Sequence, residues 1–324
     1  MNRRFFLAAT AASAILAGGA HEAWAAYPDR TIRYIVHVSP GSATDIMARK
    51  ISSILQKQLH IPVVVENRPG GRGASEMAEL TRSRPDGYTI AAATSTHLAE
   101  FHETLTMYNI NSVDWLTRLV TEPFIFVVSA KSPIKSMHDL AAYIKAHAHK
   151  VVVSGFVKGS GENVAWEMFM EAAHLPSDDV SWVPYNGVED GVTAVLGGHG
   201  LVTVAFFGLV KDQVATGHLR IVGVMADKRL TDLPNVPTLR EQGFDVPGDW
   251  SQWRGIFVPK GTPAQIQDQL ADAIKTAMQS PGMKQFMKDE SVEYDYAGPA
   301  KFTAFIRRQD KLTLYWLKKL GFIE

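Results

Sequence analysis

The sequence predicts an α/β protein built from two lobes. Short apolar, strand-like runs alternate with helical patterns along most of the chain, which is typical of α/β folds with largely parallel sheets. The chain has 324 residues, of which 46% are hydrophobic, and this is enough apolar material for two cores. Chains of this length commonly divide into units of roughly 120 to 150 residues.

The first β/α series occupies the part of the chain before Lys131-Ser132-Pro133. Apolar residues alternate over 31–38, which predicts a strand, and they recur every three or four positions over 45–59, which predicts a helix. A second helix passes through Met77 and Leu80 and ends at a proline- and glycine-containing turn. Further strands are predicted at 63–65, 88–93 and 124–128.

A second β/α series follows this crossing point. Its predicted strands are 151–153, 180–184, 201–207 and 219–225, and its predicted helices are 137–146 and 163–173. After a segment punctuated by proline and glycine, we predict a strand at 253–258 and a helix opened by Thr262-Pro263. An amphipathic helix at 299–320 is the last predicted element.

Residues 1–25 are predicted to be an export signal peptide, so we expect an exported protein. Arg3-Arg4 gives a basic start, 5–20 is apolar and small, and Ala23-Trp24-Ala25 fits a cleavage site before Ala26. The apolar stretch is shorter than the ~20 residues that a spanning helix needs. The paired arginines also resemble a twin-arginine signal, so the Sec and twin-arginine routes both stay open.

Composition and missing motifs remove several functional classes. The formal net charge is zero and no block of Lys and Arg stands out, so we expect no nucleic-acid partner. The chain has no cysteine, which excludes disulfides and thiolate chemistry. It has neither a Gly-x-Ser-x-Gly turn nor a His-Glu-x-x-His motif. We expect no enzyme activity, no cofactor and no metal. Two alternatives to a simple binding protein stay open. One is an exported hydrolase or isomerase that uses a cleft between the lobes, and the other is a ligand-sensing adaptor for a membrane signalling partner.

Five loops after predicted strands are rich in glycine and in hydroxyl or amide side chains. They cover 39–45, 70–73, 94–97, 154–161 and 185–187. The free N–H groups and the dipole at the start of a helix attract carboxylate or phosphate groups. Each loop alone is equally explained as an ordinary turn. Their recurrence in both halves of the chain predicts a clamshell that closes on a small anion.

Short motifs with a characteristic spacing run through the chain after the signal peptide. They include Pro40-Gly41-Ser42-Ala43-Thr44-Asp45, Val64-Val65-Glu66-Asn67-Arg68-Pro69-Gly70, Pro85-Asp86-Gly87-Tyr88-Thr89, Pro234-Asn235-Val236-Pro237-Thr238 and Pro259-Lys260-Gly261-Thr262-Pro263. In these motifs the chain resembles the periplasmic receptors of tripartite tricarboxylate transporters, the Bug-type solute-binding proteins. The resemblance covers essentially the whole chain after the signal peptide.

The resemblance implies a two-lobe periplasmic-binding-protein (Venus-flytrap) fold, in which each lobe is a mixed sheet flanked by helices. It implies a first lobe made of 26–128 with 251–324 and a second lobe made of 129–250. It also implies a small organic carboxylate as ligand, aromatic or dicarboxylic, and membrane permease subunits as partners. We expect the protein to be a monomer.

The resemblance also assigns candidate ligand-binding residues in both lobes. In the first lobe these are Ser39, Pro40, Gly41, Ser42, Ala43, Thr44 and Asp45, assisted by Thr94 and Ser95. In the second lobe they are Ser154, Gly159, Ser160, Gly161, Asn163, Tyr185 and Asn186. Members commonly carry His where Asn163 stands, and Ala205-Phe206-Phe207 fills a stretch that is often more polar. These departures favour an apolar or aromatic ligand body against Phe206, although Phe206 and Phe207 also fit a buried strand.

Overall fold

The computed structural model of the protein describes residues 27–156, 158–185 and 187–324. The predicted signal peptide and the candidate residue Asn186 lie outside the described residues. The described strands are β1 (Ile32–Val36), β2 (Val63–Asn67), β3 (Thr89–Thr94), β4 (Val113–Pro123), β5 (Ile125–Ser129), β6 (Val151–Gly155), β7 (Val180–Pro184), β8 (Val202–Ala205), β9 (Leu219–Val224), β10 (Ser251–Pro259) and β11 (Glu293–Ala297).

The described helices are α1 (Ala43–Leu59), α2 (Ala74–Arg82), α3 (Thr96–Glu103), α4 (Met137–Ala146), α5 (Gly161–Ala172), α6 (Val188–Leu196), α7 (Phe207–Ala215), α8 (Ala264–Met278), α9 (Pro281–Asp289) and α10 (Pro299–Lys319). Short 3-10 turns lie at Gly71–Gly73 and Ser177–Asp179.

The strands form two mixed sheets, one in each lobe. The first has the order β11-β4-β10-β3-β1-β2, with β1 parallel to β2 and β3, and β10 antiparallel to β3 and β4. The second has the order β7-β6-β8-β5-β9, with β6 parallel to β7 and β8, and β5 antiparallel to β8 and β9. The two-lobe α/β architecture expected from the sequence is therefore confirmed.

Helices cover both faces of each sheet, because each helix has an apolar face that must be buried. In the first lobe α1, α8 and α9 pack on one face, and α2, α3 and α10 pack on the other. In the second lobe α4 and α5 cover one face, and α6 and α7 cover the other. The carboxyl ends of β3 and β6 lie near the region between the lobes, and α3 and α5 begin there.

The chain joins the lobes at several points. Only Phe124 separates β4 of the first sheet from β5 of the second. The predicted first lobe extended to residue 128, whereas β5 pairs entirely within the second sheet. Helix α10 also spans both lobes, since Phe302 lies in the core of the first and Trp316 in the core of the second. In a further contact, Lys211 Nζ donates to the carbonyl oxygen of Asp289 at 2.6 Å.

One predicted strand ends earlier than its sequence indicates. Residues 201–207 read as a single strand, but β8 covers only Val202–Ala205. Phe206 adopts an extended backbone as the residue before α7, and Phe207 begins that helix. Phe206 and Phe207 are therefore half-buried residues at a strand-to-helix turn rather than members of a buried strand.

Candidate ligand-binding cavity

A cavity of about 220 Å³ lies between the two lobes. The first lobe lines it mainly through α3 and the residues before it, including Ser95, Thr96, Ala99, Glu100 and Glu103. The second lobe contributes three phenylalanines and the start of α5, namely Phe124, Phe156, Phe206, Ser160 and Glu162. The volume is below the ~300–1,000 Å³ of pockets for drug-sized ligands, so the cavity suits a small solute.

The second-lobe loop that borders the cavity is built around a glycine and an amide. Gly159 has a φ of 82°, a conformation that favours glycine, and its N–H donates to Asn163 Oδ1 at 3.0 Å. Ser160 caps α5, because its Oγ accepts from the N–H of Asn163 at 3.2 Å. The N–H groups of the first helical turn have no partner within the helix. Gly161 and Glu162 line the cavity at this turn, where the Glu162 carboxyl accepts hydrogen bonds from its own N–H and from the Ser160 hydroxyl.

The first-lobe loop has the same plan, but the side chain that accepts its glycine N–H is a carboxylate instead of an amide. Gly41 has a φ of 85°, and its N–H donates to Asp45 Oδ2 at 2.9 Å. Asp45 is buried and also accepts from Arg49 Nε at 3.0 Å and from Asn67 Nδ2 at 2.8 Å. Burial raises the pKa of the Asp45 carboxyl, but the hydrogen bonds from Arg49, Gly41 and Asn67 outweigh it and hold the pKa below its ordinary value. Residues 39–45, all within the described part of the chain, lie outside the lining of this cavity.

Some of the remaining candidate residues line the cavity, and the others lie behind its wall. Ser95 and Phe206 line the cavity, and the Ser95 hydroxyl donates to Gln252. Thr94 is buried behind the wall, where its N–H donates to His97 Nδ1 at 3.2 Å. Ser154 is fully buried against Gly200. The N–H of Tyr185 donates to the carbonyl oxygen of Gly155 at 2.8 Å, which continues the pairing of β6 with β7.

Several lining residues were absent from the sequence-based candidates. Gln309, Thr313 and Leu317 come from α10, which crosses from the first lobe to the second. Trp250 also lines the cavity, and its Nε1 donates to the carbonyl oxygen of Gly161 at 3.0 Å. No local pattern marks these residues, because their role depends on where the C-terminal helix packs. Glu162 had a usable signal, since it lies in the first turn of a helix after a predicted ligand loop.

The ionisable groups of the cavity interact mainly with one another. Arg72 Nε lies 2.8 Å from Glu100 Oε1, and Arg72 Nη1 lies 3.5 Å from Glu103 Oε2. Burial, with repulsion from Glu100, raises the pKa of Glu103. Burial also raises the pKa of Glu162, which is 7% exposed. Among the described lining residues there is no histidine, so neither Ser95 nor Ser160 has the imidazole base of a hydrolytic site.

A separate buried cluster lies behind the first-lobe wall and joins His37, Glu76 and His97. Its ligand-type atoms lie within 4.8 Å of one another, as a metal site would require. Yet the Thr94 N–H donates to His97 Nδ1, which leaves the proton of the neutral ring on Nε2, 2.9 Å from Glu76 Oε2. Burial lowers the pKa of His97, which favours this neutral form. His97 therefore lacks a free lone pair for a metal and instead ties α2 to the Thr94 turn.

The fold and the cavity define a two-lobe solute-binding protein. The family model described as "Tripartite tricarboxylate transporter family receptor" (TctC) matches residues 47–321. The chain therefore belongs to the TctC family, and the resemblance read from its motifs is confirmed.

Relatives extend over nearly the whole chain. The "UPF0065 protein in gbd 5'region" of Cupriavidus necator is 30% identical over 329 residues, covering 99% of this chain and 98% of the relative. BugT of Bordetella pertussis is 29% identical, with 86% of each chain covered. A TctC solute-binding protein from Polaromonas, solved without ligand, matches with a TM-score of 0.83 and 25% identity over 91% of this chain and all of its own.

The periplasmic binding protein BugD has the same fold at a TM-score of 0.69 and 24% identity, over 92% of this chain and 99% of its own. MatC of Rhodopseudomonas palustris was solved with bound malate and matches with a TM-score of 0.66 and 22% identity, over 89% of this chain and 98% of its own. A second R. palustris protein, solved with adipate, matches with a TM-score of 0.73 and 21% identity, over 91% and 99%. Within the described residues, every helix of this chain is too short or too polar to cross a membrane.

Proposed function

We propose that this protein captures a small organic carboxylate in the cavity between its lobes and passes it to the membrane permease subunits of a tripartite tricarboxylate-type transporter. Residues 1–25 would direct export to the periplasm. The lobes would be 26–123 with 251–324 and 124–250, which keeps β5 with its own sheet. The ligand would bridge the lobes and stabilise the closed arrangement, because it contacts both only when they are together.

The observation that carries the proposal is the start of α5 at the wall of an interlobe cavity. Backbone donors at a helix start bind carboxylates without a charged side chain. The loop is held in place by the Gly159 to Asn163 and Asn163 to Ser160 hydrogen bonds, so the first turn of α5 has a fixed arrangement before a ligand arrives. Opposite this turn, Ser95 and Thr96 offer hydroxyl groups, while Phe124 and Phe206 provide an apolar surface.

A thermal-shift screen of the purified protein tests this function. Malate and adipate, which two structural neighbours carry, are the first probes, followed by hexanoate and benzoate. A true ligand raises Tm by mass action, with about 2.7 kcal/mol of stabilisation at 100 times its Kd. The screen should give a saturable rise in Tm with at least one carboxylate and none with uncharged amides of the same size.

Chemical analysis of the bound ligand separates this function from catalysis. A solute-binding protein returns the carboxylate unchanged after prolonged incubation. Conversion of the ligand would instead support a hydrolase or isomerase. Failure of every carboxylate to bind would contradict the proposal directly.

A further inference from the structure

Aromatic rings from three connections between the lobes lie on the turn that begins α5. Phe124 connects β4 with β5, and a Cβ atom added at Gly161 would lie 2.9 Å from its Cζ. Trp250, in the core of the second lobe, directly precedes β10 of the first sheet, and its Nε1 donates to the carbonyl oxygen of Gly161 at 3.0 Å. Phe322 follows α10, and a Cβ atom added at Gly159 would lie 3.1 Å from Cε2 and Cζ of its ring. These aromatic residues therefore hold the turn through its two glycines.

The end of α10 fixes the position of the Phe322 ring. Gly321 has a φ of 74°, and its N–H donates to the carbonyl oxygen of Lys318 at 3.0 Å. The Phe322 N–H donates to the carbonyl oxygen of Leu317 at 2.9 Å. This pair of hydrogen bonds is a Schellman motif, which turns the chain back beside its helix. Since Leu317 also lines the cavity, the helix end that borders the ligand site also carries the ring to Gly159.

Phe322 reaches the turn from the side away from the cavity. Phe124 and Trp250 line the cavity and would contact a ligand directly, whereas Phe322 lies outside its lining. Phe322 borders a separate crevice of about 300 Å³ together with Asn163, whose Oδ1 accepts the Gly159 N–H at 3.0 Å. Gly159 does line the cavity, so it is held from behind by one hydrogen bond and one aromatic ring. Phe322 would therefore act on a bound ligand through this turn.

We propose that Phe322 is a positioning residue for the ligand site, because its ring holds Gly159 in the arrangement that accepts the ligand and so raises the affinity of the cavity. This proposal rests on the proposed function, since it concerns the same cavity. Glycine has the greatest backbone freedom of any residue, and a binding loop that must first be ordered binds more weakly. Packing of the Phe322 ring removes that freedom before binding. Since α10 begins in the first lobe, the same contact joins the turn to the lobe on the other side of the cavity.

Calorimetric titration of Phe322→Ala measures the effect on affinity. The probe is whichever of malate, adipate, hexanoate and benzoate most raises the Tm of the unsubstituted protein. Phe322→Ala should bind this probe roughly fivefold or more weakly, because the turn must then be ordered on binding. Phe322→Leu keeps an apolar side chain against Gly159 and should recover most of the affinity. Tyr315→Ala removes another exposed aromatic ring of α10 and is the matched control, which should bind within about twofold of the unsubstituted protein.

Two further readouts separate positioning from a general loss of stability. Asn163→Ala also releases the Gly159 N–H, so the fold-loss of affinity in the double variant Asn163→Ala/Phe322→Ala should be smaller than the product of the two single losses. In the unliganded protein, Phe322→Ala should speed amide hydrogen exchange at 159–162 and leave exchange at 39–45 unchanged.

The outcomes distinguish this proposal from the proposed function. Parent-like affinity of Phe322→Ala, or single losses that multiply in the double variant, would contradict the proposal while the proposed function stands. Exchange that rises equally at 159–162 and at 39–45 would indicate a general loss of stability and would also overturn the proposal. If the unsubstituted protein binds none of the four carboxylates, the proposed function fails and the proposal fails with it.

Discussion

The loops at Gly41 and Gly159 have the same local structure in the two lobes, but they differ in the charge of one side chain and in their position relative to the cavity. Each has a glycine at positive φ, a serine immediately before the helix, and an Asx side chain four residues later that accepts the glycine N–H. In the first lobe that acceptor is the carboxylate of Asp45, held by Arg49. In the second it is the neutral amide of Asn163, and this loop borders the cavity. One sequence pattern thus occurs once away from the cavity and once in its wall.

The difference shows that a helix start is only a potential anion site. At α1 the buried carboxylate of Asp45 accepts the Gly41 N–H and pairs with Arg49, so a ligand would have to compete with that carboxylate. At α5 the acceptor of the glycine N–H is uncharged, and the carboxyl group near the helix start comes instead from Glu162 in the first turn. The neighbouring elements then decide access, since α10 and Phe206 close a cavity beside α5.

The strongest way to break this comparison is Asp45→Ala. The change leaves Gly41 N–H without its acceptor, removes one of the two acceptors of Asn67 Nδ2 and removes the ionic partner of Arg49, so it should cost about 2–3 kcal/mol and lower Tm by roughly 5–10 °C. Asn163→Ala removes a neutral acceptor and should cost about 1 kcal/mol. Equal losses in thermal unfolding would contradict the distinction.

The lowered pKa of the Asp45 carboxyl predicts that the unsubstituted protein loses stability in acid. Because the folded state lowers the pKa of Asp45, its contribution is complete above the ordinary value of 3.8 and is lost as pH falls through the lower folded-state pKa. The Tm difference between the parent and Asp45→Ala should therefore shrink in strong acid. A Tm difference that stayed constant in strong acid would show that the charge of Asp45 does not contribute to its stabilising effect.

A smaller effect should separate the two serines that precede the helices. Ser160 accepts a hydrogen bond from Asn163 N–H, so Ser160→Ala should cost about 1 kcal/mol, or a few degrees of Tm. Ser42 Oγ is buried without a partner, so Ser42→Ala should leave stability unchanged or raise it. Thermal unfolding of both variants measures this, and a similar loss in each would show that both serines cap their helices.

Much of the fold followed from local patterns because the relevant signals are short in range. The helix predicted at 137–146 is α4 (Met137–Ala146), where Ser136 caps the first turn and Met137, Leu140 and Ile144 are buried at helical spacing. The strand predicted at 180–184 is β7. Such elements carry their boundary residues and their buried face within one short segment.

Other elements gave no local signal. The loop predicted at 94–97 includes the first residues of α3, and no local pattern predicted the rest of this helix, whose preceding residue Ser95 makes no side-chain cap hydrogen bond. Strand β4 was not predicted; its pairing with β10 includes two register shifts, and β10 lies far along the chain. The residues that line the cavity could likewise be predicted only in part from local patterns. Ser95, Ser160 and Phe206 were predicted beside a ligand and do line it, whereas the contribution of Gln309 depends on a helix that packs across both lobes.

The measurement that tests the account most directly is carboxylate binding after the cavity is filled. Ala99 lines the cavity on α3, and Ala99→Trp would occupy much of its volume. Ala142→Trp adds the same bulk at an exposed position of α4 and serves as the control. Calorimetric titration with the carboxylate that most raises Tm in the thermal-shift screen should show no binding to folded Ala99→Trp and parent-like binding to Ala142→Trp. Parent-like affinity in both variants would contradict a ligand site between the lobes at this cavity.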